Sequence, residues 1–313
     1  MEREERASRS KRDWERFVQL IISITVLFIL VKHTNVKLLV LTWREVRFSY
    51  LILASLIVPF SILPRVYRWG SIINRENKSV SLKDLYLLTL AGISLNFLLP
   101  ANLGDIARSY YGYKKTGLGE EMLTSSLVDK LIALFSIFSI GAIASFLYGL
   151  NPYTYLSLIL AVIFAVVPFF PNLLPWGLIE KASLLFADET NARQLREQFN
   201  LSNKVKIMAI VWSVIGWSIT FLIFYIICLA FSASMKFTYI FAIAPMIILA
   251  RLCPLTLSGL GTQEAMVMYL FRSIGVDGTN SLLISMTFTF IVSIIPAFIG
   301  LFVIANIHHS GDG

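Results

Sequence analysis

Residues 95–108, LNFLLPANLGDIAR, form a polar stretch broken by Pro100 and Gly104, yet they lie between two long apolar runs. A backbone interrupted in this way frees N–H and C=O groups. At membrane depth such groups are tolerated only inside protein or beside a water-filled cavity. Residues 251–264, RLCPLTLSGLGTQE, repeat the pattern far along the chain, with Pro254, Gly259 and Gly261 as the breakers. Two such interruptions in one apolar chain read as counterparts that enclose a buried site.

The apolar character is a property of the whole chain. Of 313 residues, 57% are hydrophobic and 15% charged, and the mean hydropathy of +0.73 is beyond the range of soluble domains. Residues 1–16 are densely charged with both signs, and no small-residue cleavage site follows the next apolar run, so a retained first helix is expected rather than a cleaved signal peptide. The two cysteines, Cys228 and Cys253, lie in apolar runs, and His33, His308 and His309 show no ligand spacing. Neither a disulfide framework, a metal site nor a cofactor is expected.

In chain order, full crossings are expected at residues 17–31, 48–73, 125–148, 153–170, 207–231 and 281–307. A polar hinge, residues 32–47, is expected between the first two; Pro59 and Pro64 suggest kinks in the second, and Arg65 and Arg68 mark its interfacial end. The stretches 85–113 and 237–272 are apolar but broken in the middle. Each half of the first is too short to cross a bilayer at about 1.5 Å per residue, so a re-entrant helical hairpin is expected, and the second repeats the pattern. The fold class is therefore an all-α polytopic membrane protein, one transmembrane domain over 1–313, with six full transmembrane helices and two hairpins. Residues 171–206 form an interfacial segment. With a cytoplasmic N-terminus, 18 of the 27 Lys and Arg fall on the cytoplasmic side, so a multi-pass protein of the cell membrane is expected, with both termini and 171–206 cytoplasmic. The hairpins then enter from opposite faces, as an inverted repeat would have them.

Asp105, Arg108, Asp129, Lys130, Arg251 and Glu264 are ionisable residues within or near the bilayer, where each alone costs about 2.5–3.5 kcal/mol at a helix centre. Three acids and three bases can offset that cost by pairing: Asp105 or Asp129 with Arg108, and Glu264 with Arg251. Asp129 and Lys130 are adjacent on a helix and must each find a partner elsewhere. The helix starts after Gly104 and Gly261 offer free N–H groups suited to a phosphate, although Asp105 and Glu264 already answer those dipoles. Asn96 and Asn102 read equally well as caps or ligand contacts. The alternative for the charges is a purely structural set of staples, which buried ion pairs serve poorly.

These residues resemble a family: the transmembrane flippase-like domain of lysylphosphatidylglycerol synthases and related stand-alone membrane proteins. The resemblance rests on Asn96, Pro100, Gly104-Asp105 and Arg108, on Asp129-Lys130, and on Pro254, Ser258-Gly259-Leu260-Gly261 and Glu264. It spans most of the chain. Three positions depart from the family pattern, which favours Glu at Asp105, Arg at Lys130 and Gly at Ser258. Lysine in place of arginine loses the planar fork that binds oxyanions in two-point fashion.

The leading expectation is a transporter or flippase for a lipid or lipid-linked head group, with Asn96, Pro100, Asn102, Gly104, Asp105, Arg108, Asp129, Lys130, Arg251, Pro254, Ser258, Gly259, Gly261 and Glu264 as the substrate site. The expected partners are membrane lipids with anionic or zwitterionic head groups. The net charge of +8 suits an anionic leaflet and calls for no nucleic acid. One alternative is a scaffold that docks a glycosyltransferase or synthase through 171–206. Another is an integral lipid-modifying transferase, although no nucleotide-binding loop or nucleophile–base pair is visible.

Overall fold

The computed structural model describes residues 18–32, 36–74, 80–99, 103–173 and 199–310. Expectations for the charged N-terminus, for Pro100 and Asn102, and for most of 171–206 fall outside the described residues. Regular structure among the described residues is helical throughout. In chain order the helices are α1 (Val18–Lys32), α2 (Val36–Arg44), α3 (Phe48–Ile73), α4 (Leu82–Leu98), α5 (Gly104–Thr116), α6 (Gly119–Leu147), α7 (Asn151–Phe169), α8 (Asn203–Ala230), α9 (Phe237–Leu252), α10 (Thr262–Arg272), α11 (Gly278–Thr289) and α12 (Ile295–Ser310). A π-helical turn, Phe290–Ile294, joins the last two.

Five helices of 19 to 30 residues are long and apolar enough to cross a membrane: α3, α6, α7, α8 and the continuous α11–α12 rod. The first of the six expected crossings, α1, is shorter and apolar. The stretch expected as a polar hinge after it contains helix α2, which exposes Val40, Leu41 and Trp43. An apolar face closed by Arg44 suits the membrane interface, and this is the physical reason the hinge is helical. Helix starts are set by side-chain caps: Ser81 accepts from the Asp84 N–H, Ser202 from Val205, and Asp277 from Thr279 and Asn280.

Both broken stretches form two half-helices, of 17 and 13 residues in α4–α5 and 16 and 11 in α9–α10. None reaches the hydrocarbon thickness of about 30 Å. Three spanning helices, α6, α7 and α8, separate the two hairpins. The odd number means that the hairpins enter from opposite faces.

Packing relates residues 48–147 to residues 203–307 as two copies of one unit: spanning helix, hairpin, spanning helix. The leading helices α3 and α8 pack along each other. Each hairpin's second half packs on the spanning helix that follows it, α5 on α6 and α10 on α11. Its first half crosses over to the closing helix of the other unit, α9 on α6 and α4 on α12. A glycine sits at each crossing. A Cβ built on Gly141 of α6 would fall 1.9 Å from Pro245 Cγ, and one on Gly300 of α12 would fall 2.2 Å from the Leu90 carbonyl oxygen. Small residues at such points let helix backbones close on each other, which is how helices associate where lipid removes the hydrophobic drive.

Candidate functional site

Close packing inside the first hairpin positions its charges. A Cβ on Gly104 would lie 2.2 Å from the Asn96 nitrogen and 2.5 Å from the Gly92 oxygen, so α5 starts with its backbone against α4. Gly92 in turn makes room for the Arg108 side chain, whose Cδ would lie 3.1 Å from a Cβ there. Gly104 thus serves backbone packing.

Arg108 reaches across to α6, where Nη2 donates to Asp129 Oδ2 at 2.7 Å. Its guanidinium lies 3.8 Å over the Trp69 ring, a desolvated cation–π contact. Nη1 donates to the Thr89 hydroxyl. Arg68 of α3 grips the same carboxylate from the other side, Nε to Oδ1 at 2.6 Å and Nη2 to Oδ2 at 3.2 Å, and Nη1 donates to Ser213 of α8. Asp129 therefore ties α3, α5 and α6 together and, through Arg68, α8. Arg108 and Asp129 are both 2% exposed, so this triad is sealed. The neighbouring Lys130 points elsewhere and donates to Asp105 Oδ2 at 2.8 Å, while the Asn96 amide donates to Oδ1. Asp105 keeps 29% of its side chain exposed.

These groups line a cavity of about 120 Å³ between the two units. Arg65 and Arg68 enter from α3, Asn96, Asp105 and Arg108 from the first hairpin, Asp129 and Lys130 from α6, and Arg251 from the end of α9. Trp217 and Thr220 of α8 and Phe288, Val292 and Ser293 around the π-turn complete the wall. Five bases face two acids, a formal excess of three positive charges. Asp129 is taken up by Arg68 and Arg108, and Asp105 by Lys130. Arg65 and Arg251 have no carboxylate within ion-pair distance among the described residues. Arg251 donates to the Ser293 hydroxyl, and its Nε, buried, has no hydrogen-bond partner.

Arg65 and Arg68 are thus corrected from interfacial markers to cavity residues. Their spacing of three, just after Pro64, places both on one face of α3, a signal that was present in the sequence. Trp69, Thr89, Ser213 and Ser293 carried no such signal, because small hydroxyls and a tryptophan in apolar helices read as ordinary packing.

The second break contributes differently from expectation. Glu264 does not pair with Arg251. It folds back on the start of α10, where Oε2 accepts the Gly261 N–H at 2.6 Å and Oε1 accepts from Ser285 and Thr289 at 3.3 Å. Glu264 and Ser258 lie outside the cavity lining, and the Ser258 hydroxyl is buried without a partner. Gly259 and Gly261 have φ of +77° and +93°, which only glycine adopts readily. Pro254 is exposed, and its carbonyl accepts from Gln19 of α1.

Fold and site together define an all-α polytopic membrane protein with a basic cavity held between two oppositely inserted broken helices. The family described as lysylphosphatidylglycerol synthase TM region matches residues 16–300, and the chain belongs to it. Membership makes the function an integral-membrane, lipid-related one. A comparison with curated proteins finds no match.

Proposed function

We propose that the chain binds an anionic lipid or lipid-linked head group in this cavity and carries it across the bilayer. The observation that carries the reading is the charge imbalance: Arg65 and Arg251 face the cavity with no carboxylate of their own within ion-pair distance among the described residues. A guanidinium at membrane depth costs several kcal/mol unless something compensates it, and a phosphate accepts from an arginine fork in two-point fashion. The cavity, of about 120 Å³ and lined by these charges, would take the polar head group, while the acyl chains stay in the surrounding lipid. Substrate sites between oppositely inserted broken helices are the arrangement of carriers that expose one site alternately to two faces.

The test uses the full chain in liposomes, with fluorescent phosphatidylglycerol, an aminoacyl lipid and a polyprenyl phosphate analogue as probes. At least one probe is expected to cross faster than in empty liposomes. R65Q and R251Q should lower that rate at least tenfold while leaving the melting temperature near wild type, because removing either strands no buried charge among the described residues. A wild-type protein that moves none of the probes, or variants that move them at the wild-type rate, would overturn the reading.

A further inference from the structure

Arg65 lines the cavity and makes neither a hydrogen bond nor an ion pair among the described residues, so its whole guanidinium fork is open. Arg251 uses one donor on the Ser293 hydroxyl, and Ser293, which accepts there, keeps its own O–H to donate. The two arginines come from different units, Arg65 from α3 and Arg251 from the end of α9. Their charges act on each other, and Asp105 acts on both. That acid is already held by Lys130.

Two guanidiniums without a carboxylate of their own present two charges to an occupant. A phosphodiester brings one negative charge and two terminal oxygens, which two forks would have to share. A phosphate monoester brings about two charges at pH 7 and three terminal oxygens. Two forks can each grip it in two-point fashion by sharing a single oxygen, and neither arginine is left uncompensated in a setting where such a charge is costly. One feature of the wall pulls the other way. Asn96 Oδ1 is a buried acceptor without a partner, and by itself it would suit a hydroxyl of a glycerol diester. A phosphate monoester and phosphatidylglycerol therefore make opposite demands on the same cavity.

We propose that the cavity selects a lipid whose head group is a terminal phosphate, a phosphate monoester in its dianionic form, over phosphodiester lipids. The selectivity rests on the anion reading of the cavity and narrows it. Because charge sets the preference, the preference follows the second ionisation of the ligand, near about pH 6. Below that pH the monoester carries one charge, like the diester, and loses its preference; above it the preference is complete. The wall meets the ligand with the carboxylates of Asp105 and Asp129, the ammonium of Lys130 and the guanidiniums of Arg65, Arg68, Arg108 and Arg251, while α8 and the π-turn contribute no charge. A ratio of two lipid affinities at one pH removes the shared effect of any titration among them.

The test titrates dioctanoyl phosphatidic acid and dioctanoyl phosphatidylglycerol into the full chain in phosphatidylcholine nanodiscs, with empty nanodiscs as the blank. At pH 8 the phosphatidic acid should bind at least about tenfold tighter, and at pH 5 the two affinities should converge to within about threefold. R65Q and R251Q should each remove most of the preference at pH 8. The wild-type comparison needs no variant, so it decides the question whatever those substitutions do to folding. Inorganic phosphate should compete at least about tenfold more weakly than phosphatidic acid, because it lacks the acyl chains that hold the lipid in the bilayer. Phosphate competing on equal terms would overturn the lipid source and assign the cavity to the free anion. Equal affinity for the two lipids at pH 8, or a preference for phosphatidylglycerol, would overturn the selectivity and leave the anion reading intact. Binding of neither lipid would overturn both.

Discussion

Gly141 of α6 lies so close to Pro245 of α9 that an added Cβ would fall 1.9 Å from the proline Cγ. The contact has a counterpart in Gly300 of α12 against Leu90 of α4, and both join a closing helix to the hairpin of the other unit. G141A and G300A should each lower the melting temperature, by an overpacking cost of about 1–3 kcal/mol. Gly119, whose nearest neighbour would be Tyr113 at an ordinary 3.6 Å, makes G119A the control. Thermal melts of the three variants test the crossed packing. If G141A and G300A melt like G119A, the crossings do not hold the two units together.

Asp129 is predicted to be the costliest carboxylate to neutralise. D129N leaves Arg68 and Arg108 buried without an anion, and breaking a buried pair costs about 3–5 kcal/mol. The variant should be recovered in low yield or melt far below wild type. Size-exclusion profiles and melts in detergent read the outcome directly.

Asp105 should behave in the opposite way. Asp105 keeps 29% of its side chain exposed, and asparagine still offers Lys130 an acceptor, so D105N should cost less stability than D129N. It also removes one of the two acids that line the cavity among the described residues. Binding of an anionic probe should therefore tighten, and titration of dioctanoyl phosphatidylglycerol into wild type and D105N in nanodiscs checks the sign. Weaker binding by D105N would mean that Asp105 or its placement of Lys130 contacts the ligand.

Gly259 is placed where a side chain fails twice. Its φ of +77° is unfavourable for an L-residue by roughly 1–2 kcal/mol, and the built Cβ meets Arg251 backbone atoms that cannot rotate away. G259A should lower the melting temperature and weaken anionic probe binding together, because the displaced group is Arg251 itself. Loss of stability with binding intact would detach the break from the cavity.

Apolar runs, their lengths and the positions of their breaks were all legible in the sequence. Membrane hydropathy and backbone hydrogen bonding are local requirements, met or violated within about 20 residues. Thus α4–α5 and α9–α10 stand where Pro, Gly and polar residues interrupt an apolar stretch. Six of the charged and polar residues expected at the site, Asn96, Asp105, Arg108, Asp129, Lys130 and Arg251, do meet in one cavity. The helix in 36–44 was missed because an interfacial amphipathic helix and a polar hinge share a composition.

Which charge pairs with which was decided only by tertiary structure. Arg68 and Asp129 are 61 positions apart and meet because α3 and α6 are neighbours. Glu264 and Arg251, near in sequence, do not pair, because the turn through Ser258, Gly259 and Gly261 directs the carboxylate to its own helix start. The sequence by itself determined that this chain lies in a bilayer, where its helices break and that charge must be buried at the breaks, since each follows from the cost of polar groups in hydrocarbon. The crossing of the two units decided the rest: it set Asp129 between two arginines and left Arg65 and Arg251 facing the cavity. It also left Glu264 apart, held by neutral donors. Ion pairing depends on separations of a few ångström between helices, and no one-dimensional pattern encodes those.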